Sequence, residues 1–434
     1  MSPVVAGIVG IALLLLLFLL RMPVAFAMAF VGLVGFAYLA DPGPALSLLA
    51  QDIFEQFSSY PLSVIPMFIL MGTFAFASGI SRRLYETNYT WVGQLRGGLT
   101  MATVLACAGF AAICGSTAAT AATMGKIALP EMKKYNYDDT LATGTVAASG
   151  TLGILIPPST VLIVYGILTE ESIGKLFIAG VLPGILLSLF FVATVVFLCL
   201  RNPAIGPPGV PTSWKEKLRA TTGILEAIIL FLLAIGGLFL GWFSPTQAGS
   251  IGAGGALIIG LIRRQLTWRT FFEAGREGLR TACMVIFIIT GAVIFGHFMA
   301  ISTIPFLLAD WLETLPIHPM AVMGVIVFIY FIGGFFMDSM ALVVVTIPIF
   351  FPVVMKLNFD PIWFGVIIVL VAEMGVITPP VGVNVFVIKG IAPDVPLEVI
   401  FKGIFPFLVS LIIVTVILMF FPQIATFLPS FVSY

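Results

Sequence analysis

Two long apolar runs in this sequence are broken by the same device. Gly-Ile-Leu-Ile-Pro-Pro extends from Gly153 to Pro158, with Ser159 and Thr160 after it. Gly-Val-Ile-Thr-Pro-Pro extends from Gly375 to Pro380, with Val381, Gly382, Val383 and Asn384 after it. Adjacent prolines remove two backbone donors, collide with the preceding turn and push the residue before them out of the helical region. A helix that meets such a pair must break. Broken backbone at membrane depth survives only where protein covers it or where it lines a polar cavity. Matched interruptions in two halves of a chain point to the binding site of a secondary transporter.

That these runs lie in a membrane follows from composition. Of 434 residues, 60% are hydrophobic and only 9% charged, with a mean hydropathy of +1.17. Soluble domains carry about 25% charged residues. The chain therefore reads as an all-α polytopic membrane protein embedded in a lipid bilayer. Its formal charge is zero, which leaves no footprint for nucleic acid. Cys107, Cys114, Cys199 and Cys283 show neither metal spacing nor a disulfide pattern. His297 and His318 are isolated and read as packing or interface residues. The stretch 4–20 reads as a first span rather than a signal peptide. Ala25, Phe26 and Ala27 imitate a cleavage site, but no basic segment precedes the run and Arg21 follows it.

Apolar runs of spanning length occupy 4–20, 23–39, 61–80, 139–168, 174–200, 222–241, 244–262, 281–300, 361–391 and 397–421. The runs 98–130 and 318–352 are too long for one span and too short for two. Each carries a polar break near its middle: Gly115, Ser116 and Thr117 in one, Asp338 and Ser339 in the other. Both read as re-entrant helical hairpins. A shift of 222 positions lays 115–158 on 337–380 without a gap and superposes Pro130 on Pro352, Lys134 on Lys356, Asn136 on Asn358 and Asp138 on Asp360. Coincidence at turn-forming residues indicates an internal repeat. The first repeat covers 1–200, a Pro- and Gly-rich linker covers 201–221, and the second repeat covers 222–434. Each repeat holds five crossings and one hairpin, and the odd number inverts the second against the first. With the termini outside, all but Lys175 and Lys356 of the 20 Lys and Arg residues fall on the cytoplasmic side, as the positive-inside rule requires. Segments 45–58, 82–96, 267–280 and 304–315 are amphipathic and read as interfacial arms bracing a scaffold.

No Gly-x-x-x-x-Gly-Lys-[Ser/Thr], His-Glu-x-x-His or Ser-His-Asp arrangement occurs, so the chain reads as neither an ATPase nor another enzyme, and it calls for no organic cofactor. What recurs is small polar residues at the breaks. In the first repeat they are Ser116, Thr117, Thr120 and Ser159, around Gly153, Pro157 and Pro158. In the second they are Asp338, Ser339, Thr378 and Asn384, around Gly375, Pro379, Pro380 and Gly382. Unwound carbonyls and hydroxyls suit a hard cation such as sodium, and exposed helix N-termini attract a carboxylate. Asp338 and Glu373 lie at membrane depth, where an acid is a functional candidate by default. Asp338 reads either as a cation-holding charge or as a helix N-cap; Glu373 reads either as functional or as a structural contact. No Lys or Arg is close in sequence to either Pro-Pro pair, so an anionic substrate is expected to rely on amide dipoles, hydroxyls and bound cations.

At these residues the sequence resembles the large membrane subunit of the tripartite ATP-independent periplasmic (TRAP, DctM-type) transporters. The resemblance is carried by Gly79 to Leu84 (Gly-Ile-Ser-Arg-Arg-Leu), Leu95 to Leu99 (Leu-Arg-Gly-Gly-Leu), Gly115 to Thr120 (Gly-Ser-Thr-Ala-Ala-Thr), the break at Gly153 to Pro158, Ala179 to Gly184 (Ala-Gly-Val-Leu-Pro-Gly), Asp338 with Ser339, and Ile377 to Gly382 with Asn384. It implies sodium-coupled uptake of an organic acid across a bacterial inner membrane. It further implies an elevator in which hairpins and broken helices move against a scaffold. Two partners follow from it, a periplasmic substrate-binding protein and a small four-helix membrane subunit. A sodium–anion symporter working alone and a passive channel are the alternative readings.

Overall fold

Capping side chains and left-handed glycines mark many of the helix ends, but not every proline does: Pro130, Pro183, Pro348, Pro352 and Pro406 lie inside helices. The computed structural model describes residues 1–314 and 316–432, and among these no strand occurs. Leu315, the last residue of the fourth amphipathic segment, and the end of the second repeat at 433–434 lie outside the described residues.

The chain opens with α1 (Pro3–Leu19) and α2 (Val24–Leu39), then α3 (Pro42–Ser58), which bends by 54° into the segment holding α4 (Val64–Ala77). An arm, α5 (Ile80–Val92), leads to the first hairpin, α6 (Gly98–Cys114) and α7 (Thr117–Lys134). The first broken helix follows as α8 (Asp139–Ser149), α9 (Leu152–Leu155) and α10 (Thr160–Thr169), and then the long α11 (Ile173–Arg201). After the linker, α12 (Trp214–Ala220) precedes α13 (Thr222–Phe231), which runs through a π-helical turn at Leu232–Gly236 into α14 (Gly237–Phe239). Next are α15 (Pro245–Ile262), α16 (Trp268–Ser302) and α17 (Ile304–Thr314). The second hairpin is α18 (Pro319–Gly333) and α19 (Ser339–Lys356), and the second broken helix is α20 (Pro361–Ile377) and α21 (Val383–Ile391). The chain closes with α22 (Leu397–Phe420) and α23 (Gln423–Thr426).

By length and composition, seven helices among the described residues are able to cross a membrane, or eight with the bent pair α3–α4 taken as one span. One of the seven is α19, expected from sequence to be a hairpin arm, while α1, α2 and α20 are apolar but shorter. A second difference concerns 267–280. The sequence separates it from the span 281–300, yet both belong to the 35-residue α16. No proline or turn residue interrupts the stretch between them, whereas Pro61 stands at the bend between α3 and α4. At 1.5 Å per residue α16 is about 53 Å long, well beyond an apolar layer of about 30 Å. Its first turns therefore reach past the layer with Arg269 and Glu273 paired at 2.8 Å.

Small residues set the close crossings, as membrane helices require. A Cβ on Gly403 of α22 would sit 2.0 Å from the Thr140 carbonyl oxygen of α8. One on Gly291 of α16 would sit 2.4 Å from the Ala25 carbonyl oxygen of α2. The innermost helix is α20, buried from Ile362 to Ile377. Large apolar side chains such as Leu16, Leu189, Phe197 and Leu232 face outward, the surface a bilayer would cover.

The turn residues singled out in the sequence have local roles. Asn136 and Asn358 both adopt φ 56° after a hairpin, the left-handed conformation asparagine tolerates best after glycine. Asp138 caps α8 by accepting from Thr140 N at 2.9 Å, and Asp360 caps α20 by accepting from Trp363 N at 2.9 Å. His318 caps α18 through Met320 N at 3.2 Å, and His297 bonds Asp52 at 3.2 Å. The linker is tied down: Gly97 N donates to Gly206 O at 2.8 Å and Asp138 N to Ile205 O at 3.0 Å.

Candidate functional site

The tip of the first hairpin is made by Gly115 and Ser116. Gly115 ends α6 at φ 66°, where a side chain is strained. A Cβ there would also meet the Pro158 carbonyl oxygen at 2.7 Å. Ser116 then caps α7, accepting from Ala119 N at 3.4 Å. The tip thus rests directly on the first Pro-Pro break, and Thr160 Oγ1 donates to the Gly115 carbonyl at 3.0 Å. Gly153 is needed for the same approach, since a Cβ on it would lie 2.5 Å from the Ser116 carbonyl oxygen and 2.8 Å from Thr120 Oγ1. Ser159 caps α10 through Leu162 N at 3.2 Å, buried with Pro157 and Pro158.

The second tip repeats the plan with different residues. Gly334 follows α18 and touches Gly375 of α20 backbone to backbone; a Cβ on Gly375 would fall 2.3 Å from Gly334. Asp338 caps α19, its Oδ2 accepting from Met340 N at 3.1 Å. Thr378 closes α20 on itself, its Oγ1 donating to Met374 O at 2.5 Å. Pro379 and Pro380 are exposed, unlike their buried counterparts. Gly382 adopts φ 61° and opens α21. Asn384 then reaches across the molecule, its Nδ2 donating to Ala147 O of α8 at 3.1 Å.

Glu373 joins the two tips. It is 1% exposed, deep in α20. One carboxyl oxygen accepts from Thr117 Oγ1 at 2.8 Å, and the other accepts from Ser339 Oγ at 2.6 Å. Thr117 is the first residue of α7 and Ser339 the first of α19. Their numbers differ by 222, the shift found in the sequence. One carboxyl group therefore holds corresponding residues of both hairpins.

Above this junction lies a cavity of about 440 Å³. Ser116, Thr117, Asp338, Ser339 and Glu373 line it. Thr120, Gly153, Pro157, Pro158, Ser159, Gly375, Thr378, Pro379, Pro380, Gly382 and Asn384 are not on the cavity wall. Thr120 Oγ1, Ser149 Oγ and Asn384 Oδ1 are buried with no hydrogen-bond partner among the described residues. The facing wall comes from α4, with Gly72 and Thr73, and from α16, with Glu277, Thr281 and Met284.

The model of the family described as "Tripartite ATP-independent periplasmic transporter, DctM component" matches residues 11–424. The chain belongs to the DctM family. It is 37% identical to the C4-dicarboxylate TRAP transporter large permease protein DctM of Pseudomonas aeruginosa, over 89% of this chain and 90% of that one. It is 31% identical to the sialic acid TRAP transporter large permease protein SiaM of Vibrio cholerae, over 94% and 95%. Among solved structures, the Alcanivorax borkumensis YdaH transporter shares the fold at a TM-score of 0.66 and 16% identity, covering 88% of this chain and 89% of that one. This DctM-family chain is thus a multi-pass transporter permease and not an enzyme.

Sequence reasoning about the DctM-family site missed the cavity's charged mouth. Lys126 of α7 and Glu277 of α16 both line the cavity and are both exposed. No Lys or Arg is close in sequence to either Pro-Pro pair, yet Lys126 lines the cavity. It is distant from both Pro-Pro pairs in sequence, and the hairpin fold brings it to the cavity. The available signal was a lone charge inside the apolar arm 117–129.

Proposed function

We propose that this DctM-family chain is the large membrane subunit of a sodium-coupled uptake system for an organic acid in a bacterial inner membrane. A periplasmic binding protein delivers the acid, and a small four-helix membrane subunit completes the assembly. The observation that carries this reading is the junction at Glu373, where two capped hairpin tips meet over one cavity. Helix N-termini at both tips offer amide donors to a carboxylate. Sodium has oxygen donors close by: the Ser116 carbonyl and Thr120 Oγ1, one turn apart on α7, both approach Gly153, and Thr120 Oγ1 has no hydrogen-bond partner among the described residues. By the correspondence of the halves a second sodium site lies near Thr378. Relatives named for C4-dicarboxylates and for sialic acid support an organic acid as cargo.

The chain is organised as two inverted repeats with ten crossings and re-entrant hairpins, and it moves as an elevator. The matched roles of Asn136 and Asn358, and of Asp138 and Asp360, support the repeat. Ion pairs support the sidedness: Lys133 bonds Asp394 and Lys356 bonds Asp310, and each pair joins groups assigned to one side. The cavity mouth at Lys126 and Glu277 then faces the cytoplasm.

The complete complex in proteoliposomes is expected to accumulate succinate or N-acetylneuraminate when sodium is higher outside, without ATP. The chain alone is expected to accumulate little. Equal uptake from sodium-free medium under a proton gradient would overturn the coupling, and full activity of the isolated chain would overturn the tripartite assembly. Sidedness has its own measurement. In a Cys283→Ser background, thiols introduced by Arg82→Cys or Glu216→Cys should resist impermeant reagents added outside intact cells, while those from Asp41→Cys or Asp310→Cys should react. All four positions are exposed, so a reversed pattern would invert the topology.

A further inference from the structure

Lys126 is the one basic residue on the cavity wall among the described residues; the other charged groups there are Glu277, Asp338 and Glu373. Glu373 has both oxygens engaged by hydroxyls, and Asp338 has one oxygen on its own helix cap. The Lys126 ammonium has no ion pair or hydrogen bond among the described residues. An anion entering this space meets carboxylates at the tips and on α16, and a single ammonium on α7. Charges lining a low-dielectric cleft focus the field along it. Lys126 is the one cationic side chain on that wall, among the described residues, to offset the carboxylates.

Its position relative to the tips is fixed by the helix. Ten residues separate Ser116 from Lys126, which is about 15 Å along α7. One small carboxylate cannot touch both ends. Beyond Thr117 the cavity wall of α7 is built from Ala118, Ala119, Ala122 and Thr123, of which 118 and 122, and 119 and 123, lie one turn apart on the same face. Small side chains leave that face open as a track from the tips to the mouth. Thr123 is one turn from Lys126, and Thr281 stands on the opposite wall.

We propose that Lys126, with Thr123 beside it, forms an outer carboxylate subsite at the cavity mouth, distinct from the hairpin tips, in which the transported acid rests before it leaves. The inference depends on the cavity carrying an organic acid, as proposed above. Lysine suits such a role because it is a mobile, strongly hydrated point charge and not a bidentate clamp. Glu277, facing the same mouth, limits the dwell time by repulsion.

The test uses the complete complex carrying Cys283→Ser and Cys114→Ala, which remove the exposed cysteine and the one that lines the cavity, together with Thr123→Cys as reporter. Its reaction rates are measured with anionic sulfonatoethyl and cationic trimethylammonioethyl methanethiosulfonate. Lys126→Gln is expected to lower the anionic-to-cationic rate ratio about tenfold, as one charge removed at close range in a partly solvated site would do. Lys126→Arg is expected to restore the ratio. Succinate or N-acetylneuraminate should slow the reaction, and Lys126→Gln should abolish that protection. A ratio that does not change on Lys126→Gln overturns the subsite, as does protection that persists. The thiol reaction needs no transport, so absence of uptake by the unmodified complex would count against the uptake reading and not against the subsite.

Discussion

Glu373→Ala is expected to reduce uptake by the complete complex at least about tenfold, a loss of about 1.4 kcal/mol or more in the transport barrier. The reason is geometric. Each tip is anchored to α20 through one side-chain bond, Thr117 at 2.8 Å and Ser339 at 2.6 Å, and both bonds end on the same carboxyl group. A hydrogen bond to such a group contributes about 1.5–3 kcal/mol. Alanine removes both, leaves two buried hydroxyls without their acceptor, and frees the tips to separate while the Gly334–Gly375 contact still holds α18 to α20. Glutamine provides the control. Its carbonyl oxygen accepts from one hydroxyl and its amide donates to the other, since hydroxyls rotate to either role. Glu373→Gln should therefore retain a large share of uptake, and Thr117→Val or Ser339→Ala should each fall between it and alanine. Uptake assays on assembled complexes decide the matter: equal loss in the glutamine and alanine variants would mean that the charge, and not the bridge, is what Glu373 supplies.

How much of this was legible beforehand depends on the range over which each signal acts. Both breaks were readable because proline acts on its own backbone; that Gly153 and Gly375 meet other backbone there was not. The hairpin ends read four residues short, at 130 and 352, because a proline reads as a stop; the arms run through Pro130 and Pro352 to Lys134 and Lys356, and the turns lie at Asn136 and Asn358. The boundary at 280 failed for a related reason. Amphipathic character describes which face of a helix meets water, and only a breaker ends the helix, so α16 runs on to Ser302. The bridge from Glu373 to Thr117 crosses 256 positions, and Asn384 reaches Ala147 across 237. No periodicity carries such a pairing. Lys126 and Glu277 meet at one cavity only because α7 and α16 face each other, which hydropathy does not encode.

Asp338→Asn is expected to leave the complex assembled and its thermal stability within about 0.5 kcal/mol, because asparagine caps a helix as well as aspartate does. Uptake should nevertheless fall at least about tenfold, and more sodium should be needed for half-maximal rate. The cap alone explains only part of the residue. Its work is one acceptor, Oδ2, placed 3.1 Å from Met340 N. The first hairpin meets the same need with the hydroxyl of Ser116, which accepts from Ala119 N. A carboxylate is therefore more than this turn requires, and a charge within a membrane is costly to keep without a function. The charge stands on the cavity wall next to Ser339 and near the carboxyl group of Glu373, where a cation would offset it and bring the two tips together. Asp338→Ala should lose transport as Asn does and also lose about 0.5–2 kcal/mol of stability with the cap. Rates measured across a range of sodium concentrations, alongside melting of the purified complex, separate the two roles. Normal flux with unchanged sodium dependence in Asp338→Asn would reduce Asp338 to its cap.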